Sequence, residues 1–308
     1  MTSETLEALG VSIDEAFFLL GAAILLIEIA KGLLTGSMKG RTFLDMVASI
    51  STQIPALAIE IGLLFSGYLL FSLLADSLVT WTLPLDTWVI VAGVVAADFV
   101  YYWEHRIAHQ VRVLWTQHAV HHSSRYMNIT TSIRFGPLES VWSLACHLPL
   151  VFLGFPPEVI FFGIIVVLAY QTWIHTELVG QLGPIEGILN TPANHRVHHG
   201  CDAKYVDRNY GGIFIVWDRL FGTYQREEET PRYGLVRDFD SVNPLRVWFS
   251  ELPGLFRDLR KARSMSDVWT CLMAPPGTYP PSTHSGPNQT TPGTAQRGAQ
   301  VAIPDKAP

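Results

Sequence analysis

The sequence predicts an all-α, multi-pass membrane protein with about four transmembrane helices and a cytosolic helical cap that holds a histidine-rich site for two metal ions. Two observations predict this fold class. First, 49% of the 308 residues are hydrophobic and 16% are charged, and the mean hydropathy of +0.25 is high for a soluble chain of this length. Second, nine of the eleven histidines occur in short motifs beside the hydrophobic segments.

Four hydrophobic stretches are long enough to form transmembrane helices. The first three each hold a single carboxylate, which is Glu28, Glu60 or Asp98. The fourth is long enough for a pair of helices, with a break predicted at its Gly and Pro residues near position 155. The stretches cover residues 16–34, 54–74, 88–103 and 141–170.

The distribution of positive charge predicts the orientation of these helices. Lys31 lies near the end of the first stretch and Lys39 and Arg41 follow it, in the loop before the second stretch, whereas acidic residues precede the first. Because positive residues favour the cytoplasmic side, this loop is predicted to be cytosolic and the N-terminus external. An acidic N-terminus also argues against a cleavable signal peptide. If the predicted membrane crossings are counted from this loop, all nine clustered histidines lie on the cytosolic side.

The remaining composition restricts the partners and the domain boundaries. A net charge of −6 argues against nucleic acid as a partner. The three cysteines have no paired spacing and are interpreted as free thiols. Residues 274–308 are rich in Pro, Gly, Ser, Thr and Gln without an apolar period. This composition predicts a disordered C-terminal tail after a membrane domain at residues 1–273.

The clustered histidines have the spacing of metal ligands. They occur as HRIAH, HAVHH, a single histidine in WIHTE, and HRVHH. On a helix, residues three or four apart point to one face, and neutral imidazole is the commonest metal ligand in proteins. Nine imidazoles are too many for one ion and suit two ions, each with four or five imidazoles. The predicted metal ligands are His105, His109, His118, His121, His122, His175, His195, His198 and His199.

Other signatures of metal sites are absent from the sequence. It has no His-Glu-x-x-His, which disfavours a zincin-type peptidase, and no Glu-x-x-His, which disfavours a carboxylate di-iron bundle. A histidine-rich metal transporter stays open as an alternative, although transporters place their ligands near the membrane midplane. A metal-dependent membrane hydrolase is a further alternative, in which Asp98 or Glu177 would be the general base. The two histidines outside the motifs are His147, interpreted as structural, and His284 in the tail, interpreted as unrelated to the site.

Asp98 is predicted to take part in catalysis. If the third stretch continues as one helix, Asp98, Tyr102, His105 and His109 share a face. A carboxylate near the end of a membrane helix is costly and usually functional, so it is expected to orient a ligand histidine or to bind the metal. The alternative is a structural role as the partner of Arg106 or Arg134.

These motifs resemble those of the membrane fatty acid hydroxylase and sterol desaturase superfamily. The resemblance covers residues 97–223 and includes DFVYYWEHRIAH, HAVHHSS, YQTWIHTE, NTPANHRVHHG and NYGGIFIVWDRLFGTY. Within the superfamily the chain is most similar to alkylglycerol monooxygenase-like members. The resemblance implies two iron ions (Fe²⁺/Fe³⁺) as cofactors, in a non-haem centre bound by the nine histidines on the cytosolic side of a four-helix membrane stalk.

The resemblance also implies an activity, which is O2-dependent hydroxylation of a C–H bond of a membrane lipid. An alkylglycerol ether, a sterol or a fatty acyl chain is the expected substrate. In the alkylglycerol monooxygenase-like members the expected external reductant is tetrahydrobiopterin. In other branches of the superfamily it is an electron-donor protein. A lipid or sterol desaturase of the same superfamily is the alternative. Asn194 stands where the ether-lipid enzymes tend to have another histidine, and it is predicted as a second catalytic residue that holds a water on the metal.

Overall fold

The computed structural model describes residues 1–280, so His284 and most of the predicted tail, residues 281–308, lie outside the described residues. The described chain is helical, which confirms the all-α prediction for these residues, and its strand pairing is limited to isolated bridges. Two 3-10 helices, Ile129–Ile133 and Gly183–Gly187, accompany the α-helices. The α-helices are α1 (Ser3–Thr35), α2 (Gly40–Leu78), α3 (Thr87–Gln110), α4 (Arg112–His122), α5 (Glu139–His147), α6 (Pro149–Phe152), α7 (Pro157–Thr172), α8 (Pro192–His198), α9 (Val216–Leu220), α10 (Pro244–Trp248), α11 (Leu252–Lys261) and α12 (Met265–Met273).

Among the described residues, α1 and α2 are the two helices long and apolar enough to cross a membrane. They contain 33 and 39 residues, and large apolar side chains along them, such as Phe18, Leu26, Ile54 and Phe65, are exposed. Such faces are expected of helices that contact lipid. Helix α7 is apolar but has 16 residues, and the second half of α3 is polar. Two spans are therefore supported, and the predicted total of about four stays a prediction.

Helices α3 and α7 pack closely at the centre of the bundle. A Cβ at Gly93 would lie 2.3 Å from Val159 Cγ1, and one at Gly163 would lie 2.8 Å from Ala97 Cβ. Because no side chain fits at these distances, glycine lets the two backbones approach. Both helices end on the same side of the molecule, so the ligand motif at the end of α3 lies near the single histidine that follows α7.

The fourth hydrophobic stretch folds back on itself, as predicted. Helices α5 and α6 run away from the histidines, and α7 returns to them. Gly154, at the turn, has a φ of 81°, and its carbonyl oxygen accepts a hydrogen bond from Leu83 N at 2.8 Å. A Cβ here would also lie 2.7 Å from the ring of Trp81. Both the backbone conformation and the packing therefore favour glycine at this position.

The loop between α1 and α2 lies at the same end of the molecule as the predicted ligands. Asp45, near the start of α2, forms a buried ion pair with Arg134 at 2.8 Å and accepts a hydrogen bond from Ser124 Oγ at 2.5 Å. Near the end of α1, Glu28 accepts a hydrogen bond from Thr176 Oγ1 at 2.6 Å. The positively charged loop and the histidine motifs thus share one side, in agreement with the charge distribution. The assignment of that side to the cytosol stays a prediction.

After α7, the chain forms a cap of short helices and loops over this end. Arg196 in α8 makes a buried bidentate ion pair with Glu227, at 2.6 and 2.7 Å. Asn209 has a left-handed φ of 57°, and its amide donates to the carbonyl oxygens of Asn194 and Gln225 at 2.9 and 2.8 Å. These bonds hold the loop that follows α8 against α8 itself. The last helix, α12, ends at the predicted end of the membrane domain.

Candidate metal centre

All nine predicted ligands are buried and lie together at one end of the bundle. Their ring nitrogens form two groups, and within each group the nitrogens lie within 4.8 Å of one another. Group A consists of His105, His109, His118, His122 and His198, and group B consists of His121, His175, His195 and His199. Each group has the number of imidazoles expected for one metal ion.

Helix geometry decides which group each histidine joins. In both motifs with three histidines, the first and last histidines, four residues apart, belong to one group, and the histidine at the fourth position belongs to the other. HAVHH of α4 gives its outer pair to group A, whereas HRVHH of α8 gives its outer pair to group B. The two helices face each other, with the rings of His122 and His198 4.6 Å apart. Each helix therefore contributes to both groups.

Hydrogen bonds on the outer side of group A hold three of its rings. In each case the Nδ1 atom faces an oxygen that accepts, so Nδ1 carries the proton and Nε2 presents a lone pair to the group. Outer bonds of this kind orient histidines that bind metals. The pairs are His105 with the Tyr210 carbonyl oxygen (2.9 Å), His118 with Glu139 Oε1 (2.6 Å) and His198 with the Arg208 carbonyl oxygen (3.0 Å).

Two of these rings present their lone pairs to each other. His105 Nε2 and His118 Nε2 are 2.9 Å apart, and His118 Nε2 is 3.2 Å from His122 Nε2. Since both His105 and His118 donate outward from Nδ1, neutral rings leave no proton between their Nε2 atoms. Two facing acceptors at this distance repel unless a cation binds both of them. The donor set is therefore compatible with a metal site.

Burial favours the neutral state of the group B imidazoles and of His198, and the neutral state is the one that binds metal. Desolvation, with a smaller contribution from neighbouring histidines, lowers the pKa of His195, His198 and His199 well below its usual value. Desolvation lowers the pKa of His175 to about 4. The buried Nε2 atoms of His109 and His198 have no hydrogen-bond partner among the described residues. Both atoms are thus available as ligands.

Group B contains similar contacts between ring nitrogens. His175 Nε2 lies 3.1 Å from His121 Nε2 and 2.8 Å from His195 Nε2, which is itself 3.1 Å from His199 Nε2. His175 Nδ1 faces the Gln171 carbonyl oxygen at 2.8 Å. The end of α7 therefore orients the histidine that follows it, and its Nε2 lone pair points to the group.

Asp98 lies outside both groups, and its hydrogen bonds lead to the cap. The buried carboxylate accepts from Ile213 N at 2.5 Å, from Phe214 N at 3.2 Å and from Trp217 Nε1 at 2.8 Å. These bonds join α3 to the aromatic segment that begins at Asn209. The structure therefore shows a link between two elements of the site, and the predicted catalytic role of Asp98 stays a prediction.

Asn194 also lies outside both groups. Its Nδ2 donates to the carbonyl oxygens of Glu186 and Leu189 at 3.0 and 3.1 Å. Its backbone N–H faces the hydroxyl of Thr191, the residue that caps α8. Asn194 therefore anchors the first turn of the helix that carries the third histidine motif. Its predicted contact with a water on the metal stays a prediction.

Several residues that support the histidines were not identified from the sequence. Glu139 contacts His118 as described, and Asp207 Oδ1 lies 3.6 Å from His109 Nδ1. Glu139 is 21 positions from His118, so no motif links the two. Asp207 has a left-handed φ of 60°, a conformation in which Asp is enriched. The other supporting groups are backbone carbonyls, which have no signature in a sequence.

Two cavities lie near the groups. One of about 40 Å³, lined in part by His105 and Glu139, has room for one or two molecules of the size of water. A larger groove of about 260 Å³ opens near the end of α1 and the start of α2, and its walls include Lys31, Arg125 and Asn128. The smaller cavity is next to group A, whereas the groove is at the surface of the same end.

Residues 90–223 match the family described as fatty acid hydroxylase. The matched region contains all nine predicted ligands and both predicted catalytic residues. No solved structure matches the chain.

Three curated relatives illustrate the range of similar proteins. Human alkylglycerol monooxygenase is 35% identical over 267 residues, which are 83% of this chain and 55% of that protein. The ornithine lipid hydroxylase of Rhizobium tropici is 35% identical over 137 residues, 44% of this chain and 41% of that protein. A Delta(7)-sterol 5(6)-desaturase of Aspergillus fumigatus is 31% identical over 136 residues, 43% of this chain and 36% of that protein. The chain spans about half the length of the human relative.

Proposed function

We propose that the protein is a membrane-bound lipid monooxygenase, because residues 90–223 match the fatty acid hydroxylase family. In the proposed reaction one atom of O2 enters a C–H bond of a lipid, and the other is reduced to water by two electrons from an external reductant. The similarity to human alkylglycerol monooxygenase covers 83% of the chain. An alkylglycerol ether is therefore the substrate that we propose first.

The observation that carries the proposal is the pair of facing Nε2 atoms in group A. His105 Nε2 and His118 Nε2 face each other at 2.9 Å, in a buried cluster of imidazoles, while the Nδ1 atom of each ring faces an oxygen. A metal cation fits this donor set, because it would bind both Nε2 atoms. We assign one iron to group A and one to group B, because imidazole suits iron and the family is one of hydroxylases.

Iron ions held by these groups would supply the redox chemistry that activates dioxygen. The part of the chain is to hold and orient the ligands. Glu139 and the carbonyls of Tyr210 and Arg208 fix three rings of group A, and such partners tune both affinity and orientation. Burial excludes bulk water from the ligand atoms, and the small cavity beside His105 leaves room for a molecule as small as dioxygen or water.

We propose that Asp98 and Asn194 act as positioning residues. Asp98 holds the segment near Ile213, and this segment also contains the Tyr210 carbonyl that orients His105. Asn194 holds the first turn of α8. Both residues thus act on catalysis through the ligand histidines, since neither belongs to group A or group B.

In the membrane, we propose about four membrane-embedded segments with the active site on the cytosolic side. Helix α3 would join α1 and α2 in crossing the membrane, and the hairpin of α5–α7 would enter the membrane and return to the same side. The two groups follow the ends of α3 and α7, near the expected membrane surface, whereas a transporter holds its cargo near the midplane. A lipid would enter from the bilayer, and the groove beside Lys31 and Arg125 is large enough for its polar head.

Tetrahydrobiopterin is the reductant that we propose, with an electron-donor protein as the alternative. These two reductants are distinguished by measuring product formation by the purified, iron-loaded protein in nanodiscs. Product formed with the pterin alone supports the first, and product that requires an added ferredoxin or cytochrome supports the second.

Desaturation is the second candidate function, because one relative is named a sterol desaturase. The product separates the two reactions. Hydroxylation adds one oxygen atom to the lipid, and at the ether carbon of an alkylglycerol it releases a fatty aldehyde. Desaturation removes two hydrogens and adds no oxygen.

The activity is tested by mass spectrometry after incubation with alkylglycerol, fatty acyl or sterol lipids under ¹⁸O2. We expect one ¹⁸O atom in the product, and we expect none with His118→Ala. The buried histidine outside both groups provides the matched control, His147→Gln, which should still form product. The proposal fails if the iron-loaded protein forms no labelled product from any of these lipids with either type of reductant.

A further inference from the structure

Helix α12 presents an apolar stripe that no other described part of the chain covers. Met265, Trp269 and Met273 follow one another at four-residue intervals and are 80%, 66% and 38% exposed. This spacing keeps them on one side of the helix. Asp267 and Cys271, on the opposite side, are buried. An exposed apolar stripe next to a folded cap indicates a surface that makes contact with something else.

Helix α11 carries positive charge on its exposed side. Arg257, Arg260 and Lys261 are exposed together with Phe256, while Asp258 is buried on the other side. The exposed side thus combines an aromatic ring with three cations. It leads directly into α12, whose apolar stripe begins four residues after the end of α11.

The positive charge of residues 244–273 is not balanced by exposed carboxylates. Its carboxylates are engaged elsewhere: Glu251 pairs with Arg237 at 2.6 Å, Asp258 pairs with Arg112 at 2.5 Å, and Asp267 accepts backbone hydrogen bonds at the start of α12. The cations, by contrast, are all exposed and have no ion pair with another residue of the described chain. These cations are Arg246, Arg257, Arg260, Lys261 and Arg263.

We propose that residues 244–273 form an interfacial anchor on an anionic phospholipid surface. The stripe of α12 and Phe256 would enter the boundary between head groups and acyl chains, and the cations would contact the phosphates. Helices that combine an apolar stripe containing Trp or Phe with Lys and Arg bind membranes in this way. Lipid is favoured over a protein partner because α10 packs against α2, a membrane-capable helix on which Leu44 and Val47 are exposed.

Arg112 connects this anchor to the candidate metal centre. Its guanidinium pairs with Asp258 of α11, and its backbone N–H donates to the Ala274 carbonyl oxygen at 3.2 Å. Arg112 is also the first residue of α4, which carries three of the nine predicted ligands. Contact between the anchor and anionic lipid would therefore stabilise the position of α4.

The anchor is tested with the full chain in nanodiscs of phosphatidylcholine, with or without phosphatidylglycerol. The lipids carry bromine near the top of their acyl chains, where it quenches tryptophan. The emission of Trp269 is obtained as the difference between the unmodified protein and Trp269→Phe. We expect this emission to be quenched by more than about half in the anionic lipid, since an interfacial helix buries its apolar face at that depth.

A charge variant tests the role of the cations. Changing Arg257, Arg260, Lys261 and Arg263 together to Gln should remove the effect of phosphatidylglycerol on quenching. Arg226→Gln, an exposed cation elsewhere in the cap, is the matched control and should retain it. The proposal is overturned if Trp269 is unquenched in both lipids, as expected if a protein or residues 281–308 cover the stripe. It is also overturned if the four changes leave the lipid dependence intact.

Discussion

Groups A and B contain the same type of ligand, but the rest of the chain supports them differently. In group A, three rings donate from Nδ1 to oxygens of other elements. In group B, His175 donates to Gln171, whereas the buried Nδ1 of His195 has no partner among the described residues. Group A is therefore oriented by the protein, and the orientation of group B would depend more on a bound metal ion. Similar sets of imidazoles can thus differ in preorganisation.

The origin of the supporting groups explains this difference. Group A draws on Glu139 of α5 and on the carbonyls of Tyr210 and Arg208 in the cap, so its geometry requires the tertiary fold. In group B the carbonyl that supports His175 comes from a residue four positions earlier in the chain, so this part of its geometry is local. Outer partners typically change metal affinity by about 10-fold to 100-fold. We expect group A to bind its ion more tightly by about this factor.

The largest effect is expected from removing a ligand of group A that contacts two others. His118 Nε2 lies within 3.2 Å of both His105 and His122. We expect His118→Ala to lower kcat/KM by at least about 10³-fold, a loss typical of a group that acts as part of a catalytic unit. Iron content and lipid oxidation are measured on the same preparation.

The control for this variant is His147→Gln. His147 is as buried as the ligands, but its Nδ1 faces the Ser143 carbonyl oxygen at 2.9 Å and it belongs to neither group. Iron content should be unchanged in this variant. Equal loss of iron in both variants would mean that burial of an imidazole, and not membership in group A, explains the result.

Much of this site could be predicted from the sequence, because the ligand residues follow helical spacing. The three motifs and the single histidine of WIHTE supplied the nine predicted ligands, and their number predicted two groups of four or five. The division between the groups could not be predicted, since it depends on how α4 and α8 face each other. The roles of Glu139 and Asp207 depend on contacts between distant segments, which no spacing encodes.

The second prediction concerns the outer partner of His118. In Glu139→Gln the amide accepts a weaker hydrogen bond than the carboxylate does, so group A should lose about 10-fold in affinity. The difference in metal affinity between group A and group B would then become smaller. The measurement is a titration of the iron-loaded protein with a chelator.

Glu177→Gln is the matched control for this titration. Glu177 lies two residues after a group B ligand but bonds to Tyr233 at 3.1 Å. Replacing Glu177 should leave the chelator-induced release of both iron ions, one from each group, unchanged. If Glu139→Gln also leaves this release unchanged, outer bonds do not account for the difference between the groups.

The third prediction is a smaller effect at Asp98. In Asp98→Asn, one side-chain oxygen becomes a donor that faces backbone N–H groups, so we expect a loss of about 1–3 kcal/mol in the free energy of unfolding. Iron should be retained, and kcat should fall by about 10-fold or less. Thermal unfolding, iron content and kcat are compared with those of the unmodified protein. Loss of iron with unchanged stability would instead indicate that Asp98 binds the metal.

The fold shows the same limit of prediction from sequence. The hydropathy of residues 16–34 and 54–74 predicted α1 and α2, and Gly and Pro predicted the break before α7. The close packing of α3 on α7 depends on which glycines meet, and the sequence alone does not show that Gly93 faces Val159. The cap consists of short helices held by side-chain hydrogen bonds and ion pairs. The sequence therefore predicted that a helical cap exists, but not the course of the chain within it.

The fourth prediction concerns pH and the metal-free protein. Burial lowers the pKa of His175 to about 4, below the value of about 6.5 expected in the unfolded chain. Between these values the unfolded state takes up a proton that the folded state does not, so stability falls as pH falls. Each such imidazole should lower the free energy of unfolding by about 1.4 kcal/mol per pH unit.

Stability above about pH 7 should be independent of this ring, because it is neutral in both states. Melting temperatures of the metal-free protein between pH 8 and pH 5 provide the measurement. The decline should be shallower in His175→Gln than in the unmodified protein. A melting temperature that stays constant down to pH 5 would show that these rings are not held neutral in the folded state.

The most direct test of two unequal metal groups is the iron content of the purified protein during stepwise chelation. We expect two iron ions per chain, released in two steps. His199→Ala should remove the early step, and His109→Ala the late one. One metal ion per chain, zinc in place of iron, or release of both ions in a single step that neither variant separates would contradict this account.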